Sequence, residues 1–223
     1  MHREHPQPIL RRPSTAVATS TALALILAAA SVAAQPSLMQ VRCAAVAANV
    51  DDGIAGCSAL INSGREHGRN LTISYFNRGL GWDRKRDYDR AIADFSQAIS
   101  IDPSYARAYH GRGNAYGKQG KHDQALADFD RALQLDPGFV LAFTSRAFAY
   151  LKKGDVERAI SDASAALRLD PNLAQAYATR GAARTQKGEL DGAFDDLNRA
   201  LRINPSLAPA HNARGLAYRK RVR

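Results

Sequence analysis

Residues 110–121 read HGRGNAYGKQGK, with four glycines and two glycine–lysine pairs. Glycines beside a lysine could cradle a phosphate, because backbone amides approach the anion and the ammonium neutralises it. The spacing argues against that chemistry. A GxxxxGK[ST] loop needs glycine where Arg112 stands and Ser or Thr where Gln119 stands. A GxGxxG loop needs glycine in place of Tyr116. No GxSxG, HExxH or CxxC occurs, and His67, His110, His122 and His211 are scattered over separate segments. No catalytic residue, cofactor site or metal site is expected, and the chain reads as a non-enzyme.

A second set of residues recurs at a fixed step. Arginine stands at Arg78, Arg112, Arg146, Arg180 and Arg214, and aspartate at Asp94, Asp128, Asp162 and Asp196, each 34 residues after the last. Other marks keep the same step. AIADFSQAISIDP begins at Ala91, ALADFDRALQLDP at Ala125, AISDASAALRLDP at Ala159 and AFDDLNRALRINP at Ala193. Upstream of each lies YFNRGLGW, YHGRGNAY, FTSRAFAY or YATRGAAR, and a fifth copy, HNARGLAY, begins at His211. Tyr109, Arg112, Gly113 and Tyr116 fall on one face of a helix. Gly120, Gly154 and Gly188 mark a turn that needs a left-handed residue, and Arg86 replaces glycine there in the first unit. Pro103, Pro137, Pro171 and Pro205 end the second helix of each unit.

The period and its aromatic, Gly, Tyr, Ala, Phe, Pro pattern resemble the tetratricopeptide repeat (TPR) family. The resemblance implies an all-α fold, a right-handed α-α superhelix of helix-turn-helix repeats. Four repeats are expected, at 72–105, 106–139, 140–173 and 174–207, with a capping helix at 208–223. The segment 35–71 precedes them and holds a degenerate capping helix within Asp51 to Gly64, with Ile54, Cys57, Leu60 and Ile61 as its apolar stripe. Each unit cannot bury its apolar face alone, so stacked neighbours create one continuous core.

The recurrent arginines replace a leucine usual in that family and lie on a helix-packing face. Charges there need partners. An Arg–Asp ladder between the paired helices, within or between units, is expected rather than an anion site. In the family, certain first-helix positions face a concave groove that binds peptides. Here these include Arg84, Arg107, His110, Asn114, Lys118, Leu141, Phe148, Leu151 and Lys152, with Gly111 and Gly117 opening space beside them. This basic and apolar mixture suits an extended peptide with acidic groups. Ser145 and Thr179 depart from the clamp that some relatives use on chaperone tails.

Residues 1–34 run from a charged stretch with Arg3, Arg11 and Arg12 through apolar TALALILAAA to SVAA. That is the order of a secretory signal peptide, cleaved after Ala34. A periplasmic or secreted protein is expected, touching a membrane only peripherally. In an oxidising compartment Cys43 and Cys57 would form one disulfide that pins the N-terminal segment onto the cap. The net charge of +10 survives largely without the leader. Export removes nucleic acid as a partner. The leading function is a protein-interaction scaffold or adaptor. The alternative is a basic binder of polyanionic cell-envelope material.

Overall fold

The computed structural model describes residues 37–222, so the expected leader lies outside the described residues. The described helices belong to one compact unit that begins at Leu38. Among the described residues it contains eleven α-helices and one 3-10 turn, and no strand occurs. Helices α1 (Leu38–Ala44) and α2 (Val50–Asn62) flank the 3-10 turn at Ala45–Ala47. Four helical hairpins follow: α3 (Gly68–Arg84) with α4 (Tyr88–Ile101), α5 (Ala106–Lys118) with α6 (His122–Leu135), α7 (Val140–Lys153) with α8 (Val156–Leu169), and α9 (Ala174–Lys187) with α10 (Leu190–Ile203). A last helix, α11 (Ala208–Arg221), packs on α9 and α10. Helix α3 starts four residues before the expected repeat boundary at Thr72.

The turn inside each hairpin is set by one left-handed residue. Gly120, Gly154 and Gly188 have φ of 77°, 80° and 92°, and Arg86 takes the same role at 61°. The next amide in each case reaches back to the carbonyl of Trp82, Tyr116, Tyr150 or Arg184, which closes the first helix. Asp87 and Asp155 cap the following helix by accepting from the amides of Arg90 and Arg158. At the far end, Asp102, Asp136, Asp170 and Asn204 adopt extended backbone, as a residue before proline must. Their side chains accept from the amide two residues on. This Asx turn starts the next repeat.

The core is built by size matching. Phe95 is fully buried, and a methyl group placed on Gly79 or Gly111 would lie 2.8 or 2.9 Å from its ring. Phe129 lies on Gly113 and Leu197 on Gly181 in the same way. Burying one such ring contributes about 2–3 kcal/mol. The third repeat has Ala163 in place of the large residue. There Ala147 replaces the glycine of its own repeat, and Thr179, also buried, stands where Gly111 stands in an earlier repeat. Larger neighbours thus take the volume that the smaller alanine gives up. Gly111 is therefore a packing position that admits Phe95, and it also lines a cavity of the inner face beside His110 and Asn114, as expected.

The first helices of successive repeats touch one another, whereas the second helices of successive repeats do not. The array therefore curves, with α3, α5, α7 and α9 on its inner side. At the N-terminal end α2 packs on α3 and buries Ile54, Cys57 and Leu60. Cys43 and Cys57 form a disulfide that ties α1 to α2.

Candidate functional site

Each repeat is clamped by its arginine. Arg78 Nε and Nη2 donate to the two oxygens of Asp94 at 2.8 and 2.7 Å. Arg112 does the same to Asp128, Arg146 to Asp162 and Arg180 to Asp196, all within 2.7–2.9 Å. These forked pairs join the two helices of one repeat, and the hydrogen bonds with their aspartates raise the pKa of these guanidinium groups further. The remaining nitrogen, Nη1, reaches the preceding hairpin. It finds Ser96 from Arg112, Asp130 from Arg146, Ser164 from Arg180 and Asn198 from Arg214, while Arg78 meets Ser58 on α2. One side chain thus holds three helices.

The fourth repeat adds a variation. Arg184 stands where the other repeats have Trp82, Tyr116 and Tyr150. It bonds Asp196 at 2.8 Å, and Gly192 opposite leaves room for its stem.

The inner face carries two cavities of about 350 and 270 Å³. Phe76, Asp83, Arg107, His110 and Leu141 line the first, and Phe129, Ser145, Phe148 and Gln175 the second. Asn114 borders both, so they form one trough across α3, α5, α7 and α9. Leu141 and Phe148 are 53% and 44% exposed at its rim. Gly117 lines the second cavity.

A polar network crosses the middle. His110 Nε2 lies 3.0 Å from Ser145 Oγ and 3.2 Å from Asn114 Nδ2. The ring packs against Phe129 and Phe139. Burial pushes its pKa down to about 4, against an opposing hydrogen bond to the backbone of Leu141. His110 is therefore neutral at neutral pH. The positive charge of the trough comes from elsewhere. Lys118 is engaged by Asp83 at 2.7 Å. Arg107 and Lys152 are exposed, and neither has an ion pair among the described residues. Lys152 lies 5.2 Å from the centre of the Phe148 ring, a cation–π contact.

Two expected groove residues lie elsewhere. Arg84 donates to the carbonyls of Val46 and Ala47, at 3.0 and 2.7 Å. It faces the N-terminal segment because α2 and the 3-10 turn, rather than another repeat, precede α3. Leu151 is 8% exposed and packs with Ala159 and Ala183. An apolar side chain at that position turns into the core, where Asp83 in the first repeat turns to Lys118. Sequence reasoning also missed the backward bond of each arginine. Its signal was present, since Ser96, Asp130, Ser164 and Asn198 are all polar at one repeat position.

Among the described residues no group of three His, Cys, Asp or Glu could hold a metal ion, and no helix is long and apolar enough to cross a membrane. Stacked helical hairpins with an open inner face define a helical-repeat solenoid. Tetratricopeptide repeat profiles match residues 106–139 and 142–173, and a TPR repeat profile matches 85–120 and 181–221. The chain belongs to the tetratricopeptide repeat family. Its fold is the right-handed superhelix of that family.

Similar solved structures include the first TPR of Spaghetti (RPAP3) bound to HSP90 peptide SRMEEVD. It is 31% identical, with a TM-score of 0.50, over 53% of this chain and 94% of that one. The first TPR domain of human RPAP3 is 32% identical, with a TM-score of 0.51, over 54% and 94%. A tetratricopeptide repeat protein from Parabacteroides merdae shares the fold at 16% identity and a TM-score of 0.68, over 82% and 72%. No curated protein sequence matches the chain.

Proposed function

We propose that this protein is an interaction scaffold that binds an extended peptide segment of a partner protein along the inner face of the solenoid. The observation that carries the reading is the trough itself. Leu141 and Phe148 stand exposed at its rim, while Arg107 in its lining and Lys152 against the Phe148 ring offer cationic groups not already paired with a carboxylate among the described residues. Apolar side chains alternating with acidic ones meet those needs. A relative at 31% identity is seen bound to the acidic peptide SRMEEVD, which supports a peptide as ligand. The central network does not resemble a catalytic base: His110 Nε2 is shared between Ser145 and Asn114. The protein acts by binding and carries no chemistry of its own.

An exported location belongs to the same proposal. The charged, apolar, small-residue order of residues 1–34 supports it. So does the Cys43–Cys57 disulfide, a bond of oxidising compartments. N-terminal sequencing of the mature protein should begin at Gln35.

The binding test is an array of acidic–apolar heptapeptides that includes SRMEEVD, followed by fluorescence anisotropy on the strongest binders. Affinity should fall at least fivefold in Phe148→Ala and survive roughly 0.5 M salt, where charges beyond a few ångströms are screened. The basic charge of the chain keeps a second reading in view, a binder of acidic envelope polymers. If polyphosphate binds better than any peptide and is released by that salt, that second reading replaces the first.

A further inference from the structure

Arg and Gly stand side by side at Arg78–Gly79, Arg112–Gly113, Arg180–Gly181 and Arg214–Gly215. In the first three pairs these neighbours read one feature of the helix packed on them. The arginine grips an aspartate, and the glycine admits the large residue that follows it: Asp94–Phe95, Asp128–Phe129 and Asp196–Leu197. The approach is close. A methyl group on Gly113 or Gly181 would also lie 3.2 Å from the carbonyl oxygen of Ala125 or Ala193, three residues before that aspartate. The gripped helices accordingly read Ala-x-x-Asp-Phe-x-x-Ala or its leucine form, with both alanines fully buried.

On α11 the same reader is unoccupied by any described residue. Arg214 makes its backward bond to Asn198 at 3.1 Å, which orients the guanidinium as in the other repeats. No carboxylate meets its other nitrogens among the described residues. A methyl group on Gly215 would touch nothing within 4 Å. Beside them Tyr218 is 55% exposed. This face of α11 keeps the two residues that inside the array recognise a helix.

We propose that this face of α11 docks an amphipathic helix of a partner protein carrying Ala-x-x-Asp-(Phe or Leu)-x-x-Ala. Charge complementarity selects this occupant. The face is basic through Arg214 at its centre, with Arg219 in the last turn of the helix, while Lys220 and Arg221 turn back to α9 and α10. Two copies of it would oppose arginine to arginine. An incoming aspartate satisfies the open fork, and the bulky residue beside it fills the hollow over Gly215. The alanines allow the backbones to approach. The surface is separate from the inner trough and independent of the function proposed for it.

The test uses a peptide with the sequence of α6, HDQALADFDRALQL, stapled across the exposed positions 127 and 131 to hold it helical. Anisotropy with the full chain should show saturable binding. The affinity should drop at least tenfold when the peptide carries Asp128→Asn, and likewise when the chain carries Arg214→Met or Gly215→Leu. Phe148→Ala should leave it unchanged. Circular dichroism of each variant checks the fold, which Gly215→Leu leaves intact since that site is open. Binding indifferent to Gly215→Leu, or lost with Phe148→Ala, would overturn the proposal. So would a chain that sediments as a dimer and is dissociated by Gly215→Leu, because a second copy would then occupy the face.

Discussion

Arg146 and Asp130 meet at 2.7 Å across the junction between two repeats. Elsewhere the same nitrogen finds a hydroxyl or an amide. Arg146 is thus the ladder arginine held by two carboxylates, and Asp162, its other partner, has a side chain only 10% exposed. Replacing Arg146 with methionine leaves that acid buried without a counter-charge. We expect a loss of about 3 kcal/mol, read as a lower urea midpoint. Asp130, half-exposed, matters less, and Asp130→Asn should cost under about 1 kcal/mol. Equal effects from the two variants would mean that the charge, rather than its burial, sets the cost.

Acid should weaken the middle of the array through His110. Its folded pKa of about 4 lies below the ordinary 6.5, so between those values the unfolded chain binds more protons than the folded one. Stability therefore falls as pH drops through that window. From pH 6.5 to 5, above the range where most carboxylates titrate, the loss should be about 1.5 kcal/mol. Thermal melts of the wild type and His110→Gln across this range provide the check. The variant should start lower and show a flatter dependence.

Reduction should act at the opposite end. Cys43 and Cys57 are 14 residues apart, and a loop of that size is worth about 3 kcal/mol in the unfolded-state entropy that it removes. Treatment with dithiothreitol should speed amide exchange in α1 and α2 while leaving α7 to α10 protected. Uniform deprotection would show that the solenoid unfolds as one unit instead of in segments.

Arg86 makes with strain, at φ of 61°, the turn that glycine makes freely in the other three hairpins. Arg86→Gly should raise stability by roughly 0.5–1 kcal/mol, as relief of left-handed strain exceeds the added freedom of the unfolded chain. A thermal midpoint at or below that of the wild type would show that the hydrogen bond from Arg86 to the Tyr88 hydroxyl had outweighed the strain.

The ladder and the hairpins were legible because periodicity tests a residue four times. A charge that recurs every 34 residues on one helix-packing face needs a partner, so the recurrent arginines and aspartates pointed to one another in the sequence, while whether they pair within or between repeats came from the structure. The trough was less legible. Lys118 has the type of a ligand-binding residue, but Asp83, in the preceding repeat, pairs with it. Leu151 and Asp83 share a repeat position and face different surroundings, since the local side chain chooses between core and trough. Arg84 was misplaced because its neighbour is the irregular N-terminal segment, where the period gives no guidance. Arg184 and Gly192 changed together within one repeat, and a single copy of such an exchange carries no periodic signal.

The backward bond of the ladder also bears on how many repeats the protein can have. Every repeat brings an arginine that needs a polar side chain upstream, and every repeat leaves such a side chain for whatever follows. An additional 34-residue copy inserted after Leu173 would find Ser164 behind it and hand its own acceptor to Arg180. Lengthening would therefore open no unsatisfied seam, and the extent of the inner face can change by duplication without redesign of the joints.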